Sequence, residues 1–156
     1  MLGGGDRRSL GRGDLVVRKI DDQKKFDLVF EFLFHGDPVI AMRALDLSEK
    51  ISRKHPEFLG SHKAAIFNNF ARFTEKEIRW HIAQIIPRLN MNGEELEAAL
   101  DTLRLWLETE QSQIVKVMSL QALYDLSRKN DSLAPEVHTL IAQHYVSRER
   151  NDVLRY

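Results

Sequence analysis

Histidine and acidic residues are the side chains in this sequence whose types could perform acid–base or metal chemistry. Six histidines occur among the 156 residues, at positions 35, 55, 62, 81, 138 and 144. No two are four residues apart and no H-E-x-x-H motif occurs, so no zinc-binding pair is indicated. The acidic pairs Glu94–Glu95 and Glu108/Glu110 fall on predicted surface helices, where solvated charge is the ordinary role. The chain also lacks cysteine, and the sequence therefore predicts no catalytic residue, no metal site and no cofactor.

Charge and hydropathy exclude two further classes of function. Lysine plus arginine number 23, as do aspartate plus glutamate, so the formal net charge is zero. Nucleic-acid-binding domains usually carry a basic excess, and we do not expect a nucleic-acid partner. The longest apolar runs, such as residues 64–67, are far shorter than the about 20 residues that span a bilayer. With no signal-peptide core visible, we expect a cytoplasmic protein without membrane contact.

Glycine and charge are distributed unevenly along the chain. Five of the eight glycines lie in the first 13 residues, and residues 1–20 contain five basic and two acidic residues. No phosphate-binding G-x-x-x-x-G-K-[ST] motif is present there. Glycine clusters mark irregular structure, so we expect a partly ordered basic head over 1–20 and one helical domain over 21–156. Contact with an acidic partner or with nucleic acid is the alternative role for such a head.

Helix-start signals recur along the rest of the chain. Asp37 precedes Pro38, which is a good cap before a proline at the first helical position. Thr74 with Glu77 and Asn92 with Glu95 have the spacing of a capping box. Further helix starts are predicted at Ser112, Pro56 and Pro135. No sustained apolar–polar alternation occurs, which predicts an all-α protein.

A repeat of 37 or 38 residues is the strongest pattern in the sequence. Taking Ile40, Ile78 and Val115 as position zero, apolar or small residues recur at positions four or five, seven and eleven. Each segment follows another amphipathic stretch, at residues 22–35, 56–73 and 93–109. A further stretch covers residues 133–147, and Val153 stands where the next position zero is expected. Because one helix pair cannot bury its apolar faces alone, stacked pairs are predicted.

The pattern resembles HEAT repeats, of the armadillo-like helical superfamily. Ile78-Arg79 and Val115-Lys116 match the Val-Arg-like pair that begins the second helix of such repeats, whereas Ile40-Ala41 departs from it. The stretches 42–44, 49–51, 79–84 and 115–126, with the head at 4–9, are similar to an uncharacterised bacterial HEAT-repeat group. The resemblance implies a right-handed α-solenoid of about three and a half antiparallel helix pairs. It implies no assigned activity.

In arrays of this kind the second helices usually line the inner, concave face. Positions three, six and ten should then point away from the core and form a surface that we call the ladder. Its members are Arg43, Asp46 and Lys50 of the first repeat, His81, Gln84 and Arg88 of the second, and Met118, Gln121 and Asp125 of the third. Polar ladders can bind an extended peptide or a helix, so we expect a non-enzymatic protein-binding or scaffold module.

Neighbouring residues of the second helices have other predicted roles. Arg79 and Lys116 at position one are expected to brace repeats by bonding acids such as Glu75 or Asp37. Pro87 is expected to kink the second helix of the second repeat, because proline removes a backbone donor.

Two alternative functions and one mode of assembly stay open at this point. A HEAT-type enzyme or lyase subunit is the first alternative. The second is a DNA-damage binder, because alkylpurine DNA glycosylases are built from HEAT-like repeats that present aromatic residues and an aspartate. Here Trp106 is followed one turn later by Glu110 and Trp80 by Gln84. The last amphipathic stretch has an apolar stripe without a second helix, which favours self-association at this carboxyl-terminal edge; it comprises Val137, Leu140, Ile141 and Tyr145.

Overall fold

The computed structural model describes residues 13–153, with side chains for residues 15–148, and this part of the chain contains helices and no strand. The α-helices are α1 Gly13–Val17, α2 Gln23–Glu31, α3 Pro38–Ser52, α4 Lys63–Asn68, α5 Lys76–Ile85, α6 Gly93–Thr109, α7 Gln113–Ser127 and α8 Ala134–Val153. Short 3-10 helices cover Phe32–Phe34, Pro56–His62, Phe70–Arg72, Ile86–Arg88 and Asp131–Leu133. The all-α prediction is confirmed.

The helices form three and a half pairs, as the repeat predicts. The first pair is α2 with α3, the third is α6 with α7, and α8 follows α7 as a single helix. In the second pair the first limb is broken into Pro56–His62, α4 and Phe70–Arg72 before α5 begins. The sequence predicts only an amphipathic stretch over 56–73, and Gly60 and the consecutive Asn68 and Asn69, which are poor helix formers, lie where it is broken.

The two ends of the stack are built differently from its interior. Most of the basic head, including Arg7, Arg8 and Arg12, lies outside the described residues. Its last part does not stand apart, because α1 packs against α3 and Val16, Val17 and Ile20 contact the common core. At the other end α8 is one continuous helix through Val153, so no new second helix starts there.

Capping interactions define where several helices begin. Asp37 caps α3 by accepting a hydrogen bond from the backbone N–H of Val39 at 2.8 Å. Asn92 and Glu95 form a reciprocal capping box, with Asn92 Oδ1 2.9 Å from the Glu95 nitrogen and Glu95 Oε2 2.8 Å from the Asn92 nitrogen. The box predicted at Thr74 is wrong, because Glu75 occupies the cap of α5 and its side chain makes no capping bond.

One apolar core runs through all the repeats. Trp106 is its largest fully buried side chain, and Ala44, Ala83 and Ala122 are buried where the second helices lie side by side. Such small residues let neighbouring helix backbones come close. Pro87 was predicted to kink the second helix of the second repeat; instead α5 ends at Ile85, and Pro87 lies in the 3-10 helix Ile86–Arg88 that continues the chain.

The capping box gives a test of helix energetics with a built-in control. Asn92→Ala should lower the free energy of unfolding by about 1 kcal/mol, because the amide nitrogen of Glu95 loses its acceptor. Ser112 occupies the cap of α7 without a side-chain capping bond, so Ser112→Ala should change stability by less than about half as much. Urea denaturation followed by circular dichroism measures both, and equal losses would contradict the assignment.

Candidate functional site

The ladder residues lie on the adjacent second helices α3, α5 and α7, except Arg88, which ends the 3-10 helix after α5. Arg43 and His81 were expected to point away from the core, but they are only 8% and 7% exposed. His81 is covered because α5 packs against α3, where its imidazole lies 3.4 Å from Asp46. The ladder is therefore not a uniformly exposed surface.

Asp46 connects the first two repeats. Its Oδ1 lies 3.4 Å from His81 Nε2 and its Oδ2 lies 3.2 Å from Lys50 Nζ. Burial raises the pKa of the Asp46 carboxyl, but hydrogen bonds and charge from His81 and Lys50 outweigh it and hold the pKa below its ordinary value. His81 Nδ1 is also 2.6 Å from the carbonyl oxygen of Glu77, and Trp80 Nε1 contacts the same imidazole. Three ladder residues thus form a brace between α3 and α5.

Glu49, which the ladder positions omit, is the centre of a second brace. Its carboxylate is almost fully buried and accepts bonds from Arg53 at 2.8 Å and from Arg88 Nη2 at 2.7 Å. Arg88 Nη1 also donates to the Glu49 carbonyl oxygen at 2.9 Å and to Ser52 Oγ at 2.8 Å. Burial raises the pKa of Glu49, yet the bonds from both arginines keep it below its ordinary value. The ladder residue Arg88 is therefore largely engaged within the fold.

The remaining ladder residues are more accessible. Gln84 is half-buried and donates to the Trp80 carbonyl oxygen at 3.3 Å. Met118 is half-buried and packs against the core. Gln121 is exposed, and its amide donates to Asp125 Oδ1 at 2.9 Å. The accessible polar groups of the ladder thus concentrate in the second and third repeats.

Arg79 braces two repeats, as its position predicts, but through a different acid. It forms an ion pair with Glu110, donates to the Phe73 carbonyl oxygen at 2.6 Å and lies 5.6 Å from the centre of the Trp106 ring. Glu110 reaches Arg79 from the end of α6, whereas the predicted partner Glu75 is an exposed cap residue. Trp106 and Glu110 are the residues compared above with the aromatic residue and aspartate of alkylpurine DNA glycosylases. Both are thus engaged in contacts within the fold.

A cavity of about 750 Å³ lies where the turns of the first two repeats meet the starts of α3 and α5. We call it the corner groove. Its apolar lining includes Leu33, Phe34, Met42, Phe73 and Ile78, and its polar lining includes His35, Asn69, Arg72, Thr74, Glu75 and Glu77. Sequence reasoning missed it because the lining comes from two separate turns and two helix starts. The unusual exposure of Phe34, at 50%, is visible only in the structure.

One imidazole–carboxylate pair could suggest acid–base chemistry. His62 Nε2 is 2.5 Å from Asp27 Oδ1, and the ring stacks on Phe30 at 4.1 Å between centroids. Gln23 donates to Asp27 Oδ1 at 2.7 Å and to Ser61 Oγ at 3.1 Å. The serine thus lies beside the amide and carboxylate and not on the imidazole, which is not the order of a catalytic triad. The pair joins α2 to the 3-10 helix Pro56–His62.

Among the side chains that the structure describes, at residues 15–148, no three histidine or acidic groups come together as a metal-binding group would require. In the same part of the chain, every helix is too short or too polar to cross a bilayer.

The Glu49 brace predicts a specific loss of stability. Arg88→Met should lower the free energy of unfolding at pH 7 by about 3 kcal/mol, because one partner of a buried carboxylate is removed. The matched control is Arg104→Met, whose ion pair with Glu136 is solvent-exposed and should contribute less than about 1 kcal/mol. Similar losses in the two variants, measured by urea denaturation, would contradict the buried brace.

The same brace has a defined pH dependence. The pKa of Glu49 in the folded protein lies below the ordinary value of 4.5. The brace therefore stabilises the fold fully above pH 4.5, and this stabilisation is lost as the pH falls through the lower, folded-state pKa. Ordinary carboxylate pKa values lie roughly between pH 3 and pH 6. Over that range the free energy of unfolding of Arg88→Met should therefore decline less than that of the wild type. Equal declines would show that Arg88 does not lower this pKa.

Comparison with known proteins agrees with the architecture. The family model of the HEAT repeat domain matches residues 12–148. No significant match was found among curated proteins or solved structures. HEAT repeats generally mediate protein interaction or scaffolding. The match extends over the three complete helix pairs and nearly all of α8, and the chain therefore belongs to the HEAT repeat family.

Proposed function

We propose that this chain is a non-enzymatic protein-binding module and that the corner groove receives an apolar segment of its partner. The observation that carries the proposal is the groove itself, a cavity of about 750 Å³ built from two repeats. That volume is in the range of pockets that enclose ligands. Phe34, half exposed at the rim, supplies aromatic surface of the kind that anchors protein interfaces.

The polar lining indicates the chemistry of the segment. Glu75 is exposed and Glu77 is half-buried at the start of α5, with Arg72 on the preceding turn. Arg72 lies 3.4 Å from the Asn69 side chain. Two carboxylates against one guanidinium favour a partner that places lysine or arginine beside its apolar side chain.

The ladder extends this surface along the same helices. Met42 and Glu77 line the groove, and the ladder residues Asp46 and His81 follow each of them by one helical turn. Since Asp46 and His81 bond each other, they define the floor between the repeats. Gln84, on the same side of α5 as His81, then provides an amide that a bound backbone could reach. The proposed role of the ladder is thus to orient a segment that the groove anchors.

The two alternatives have less support from the geometry. A DNA-damage binder needs cationic side chains that reach phosphates, but Arg53, Arg79 and Arg88 are each paired with a carboxylate. A HEAT-type enzyme or lyase subunit needs a reactive group at an accessible surface, and His62 and His81 are both held in contacts between helices. The absence of cysteine supports the cytoplasm as the proposed location.

A displayed library of random short peptides tests the proposal without knowledge of the partner. The peptides selected by the wild-type protein should share a bulky apolar residue next to lysine or arginine. Phe34→Ala and Glu75→Lys should each weaken binding of the best peptide by about tenfold or more, as expected for anchor positions. Fluorescence anisotropy measures the dissociation constants.

Exposed positions on α6 provide the controls. Leu105 is 54% exposed and Glu108 is also exposed, so Leu105→Ala and Glu108→Lys match the two changes in chemistry without touching the groove. Both should leave the affinity within about twofold. If Gln84→Arg and Gln121→Arg abolish binding while both groove variants bind normally, the ladder alone is the site and the groove proposal is wrong. Failure to select any peptide would also overturn it.

A further inference from the structure

Three positions of each second helix face the next repeat, and the first repeat shows which they are. Positions two, five and nine of α3 are Met42, Leu45 and Glu49, which are 8%, 0% and 2% exposed. They are buried because α5 packs against this side of α3, with Arg88 reaching Glu49 at 2.7 Å. In this stack, these positions are normally covered by a following second helix.

The second repeat follows the same rule. Its positions two, five and nine are Trp80 and Ala83 of α5 and Pro87 of the 3-10 helix that follows; Ala83 and Pro87 are buried and Trp80 is half-buried. α7 packs against α5, and Lys129 just beyond α7 donates to the Pro87 carbonyl oxygen at 2.5 Å. The side of α5 that faces the third repeat is thus covered like that of α3.

The third repeat breaks the rule. The equivalent residues of α7 are Val117, Leu120 and Tyr124; Val117 is 38% and Tyr124 39% exposed, and Leu120 is half-buried. We call these three residues the open face. The adjoining α8 stands where the first helix of a fourth pair is expected, and it leaves Tyr145 70% exposed. The open face is therefore accessible to solvent, whereas the residues at the same positions of the first two repeats are largely covered.

The composition of α7 agrees with a helix that is covered on every side. Apolar residues occur all around it, including Val115 and Leu126 towards the core and Val117 and Tyr124 opposite. Helices that are apolar all round are normally buried. α5, α6 and α8 pack against α7 and leave the apolar open face accessible to solvent.

We propose that the open face binds the open face of a second copy of this chain, with the two α7 helices antiparallel about a two-fold axis. Two-fold contacts require a surface that complements itself. Antiparallel pairing centred between Leu120 and Gln121 places Val117 of each copy against Tyr124 of the other, which joins a small apolar side chain to a large one.

Two further observations favour a second copy in this arrangement. The net charge of the chain is zero, so two copies do not repel each other at long range. At the opposite end of the stack α1 packs against α3 and buries Ile20. A head-to-tail array would need that end uncovered, whereas the two-fold dimer leaves it undisturbed and closes after two copies.

The oligomeric state tests the proposal directly. Light scattering over a range of micromolar concentrations should give the mass of a dimer for the wild-type protein. The double variant Val117→Asp, Tyr124→Asp should be monomeric, because two carboxylates on each copy would meet two on the other. Its helical circular dichroism should be unchanged. Leu105→Asp, at an exposed leucine of α6, is the control and should stay dimeric. A monomeric wild type, or a dimeric double variant, would overturn the proposal.

The cysteine-free chain allows the symmetry itself to be tested. In the two-fold arrangement, position 121 of one copy lies beside position 120 of the other, so Gln121→Cys should give dimers with a short thiol crosslinker. Gln111→Cys, at an exposed position before α7, should not. A dimer that fails to crosslink through position 121 would refute this geometry. Peptide binding by the monomeric double variant should equal that of the wild type, so the two proposals can fail separately.

Discussion

The close approach of the second helices is the constraint on which the rest of the structure depends. Ala44, Ala83 and Ala122 are essentially without solvent exposure, and a larger side chain at any of them would separate α3, α5 and α7. The same approach takes polar residues out of solvent, since Glu49 and His81 are buried beside these alanines. Each buried polar group then needs a partner, and Glu49 and His81 each have one in the neighbouring repeat as well as one in their own repeat.

The resulting ion pairs between repeats fix the alignment of the helices more than they add to the total stability. A buried ion pair recovers little more than the cost of desolvating its charges, but removing one partner is expensive. Glu49 therefore disfavours any stacking that moves Arg88 away, and Asp46 does the same for His81. We infer that these pairs select one alignment of the first two repeats, in which the two turns enclose the corner groove.

Sequence periodicity predicted the architecture well because apolar spacing reports directly on which helix faces are buried. The three and a half pairs follow from the repeated apolar spacing, and the cap at Asp37 and the capping box at Asn92 follow from patterns within one turn of helix. The ladder was harder to predict, because exposure at position three depends on the distance between two helices. Arg43 was therefore wrongly placed in solvent. The corner groove depends on the path of two turns, and no residue within a single repeat reports on it.

The second helices become more accessible to solvent from the first repeat to the third. This difference places the two proposed interactions at different ends of the stack. In the first repeat the polar residues of α3 are occupied by α5, since Asp46 and Glu49 both bond across the boundary. In the third repeat no second helix follows α7 within the described residues, and Gln121 bonds only within its own helix. A partner segment anchored near α3 and a second copy bound at α7 would therefore occupy different ends of the stack. One surface can be filled without covering the other, so a dimer would present two grooves, and a partner with two such segments would bind it with higher avidity than a monomer.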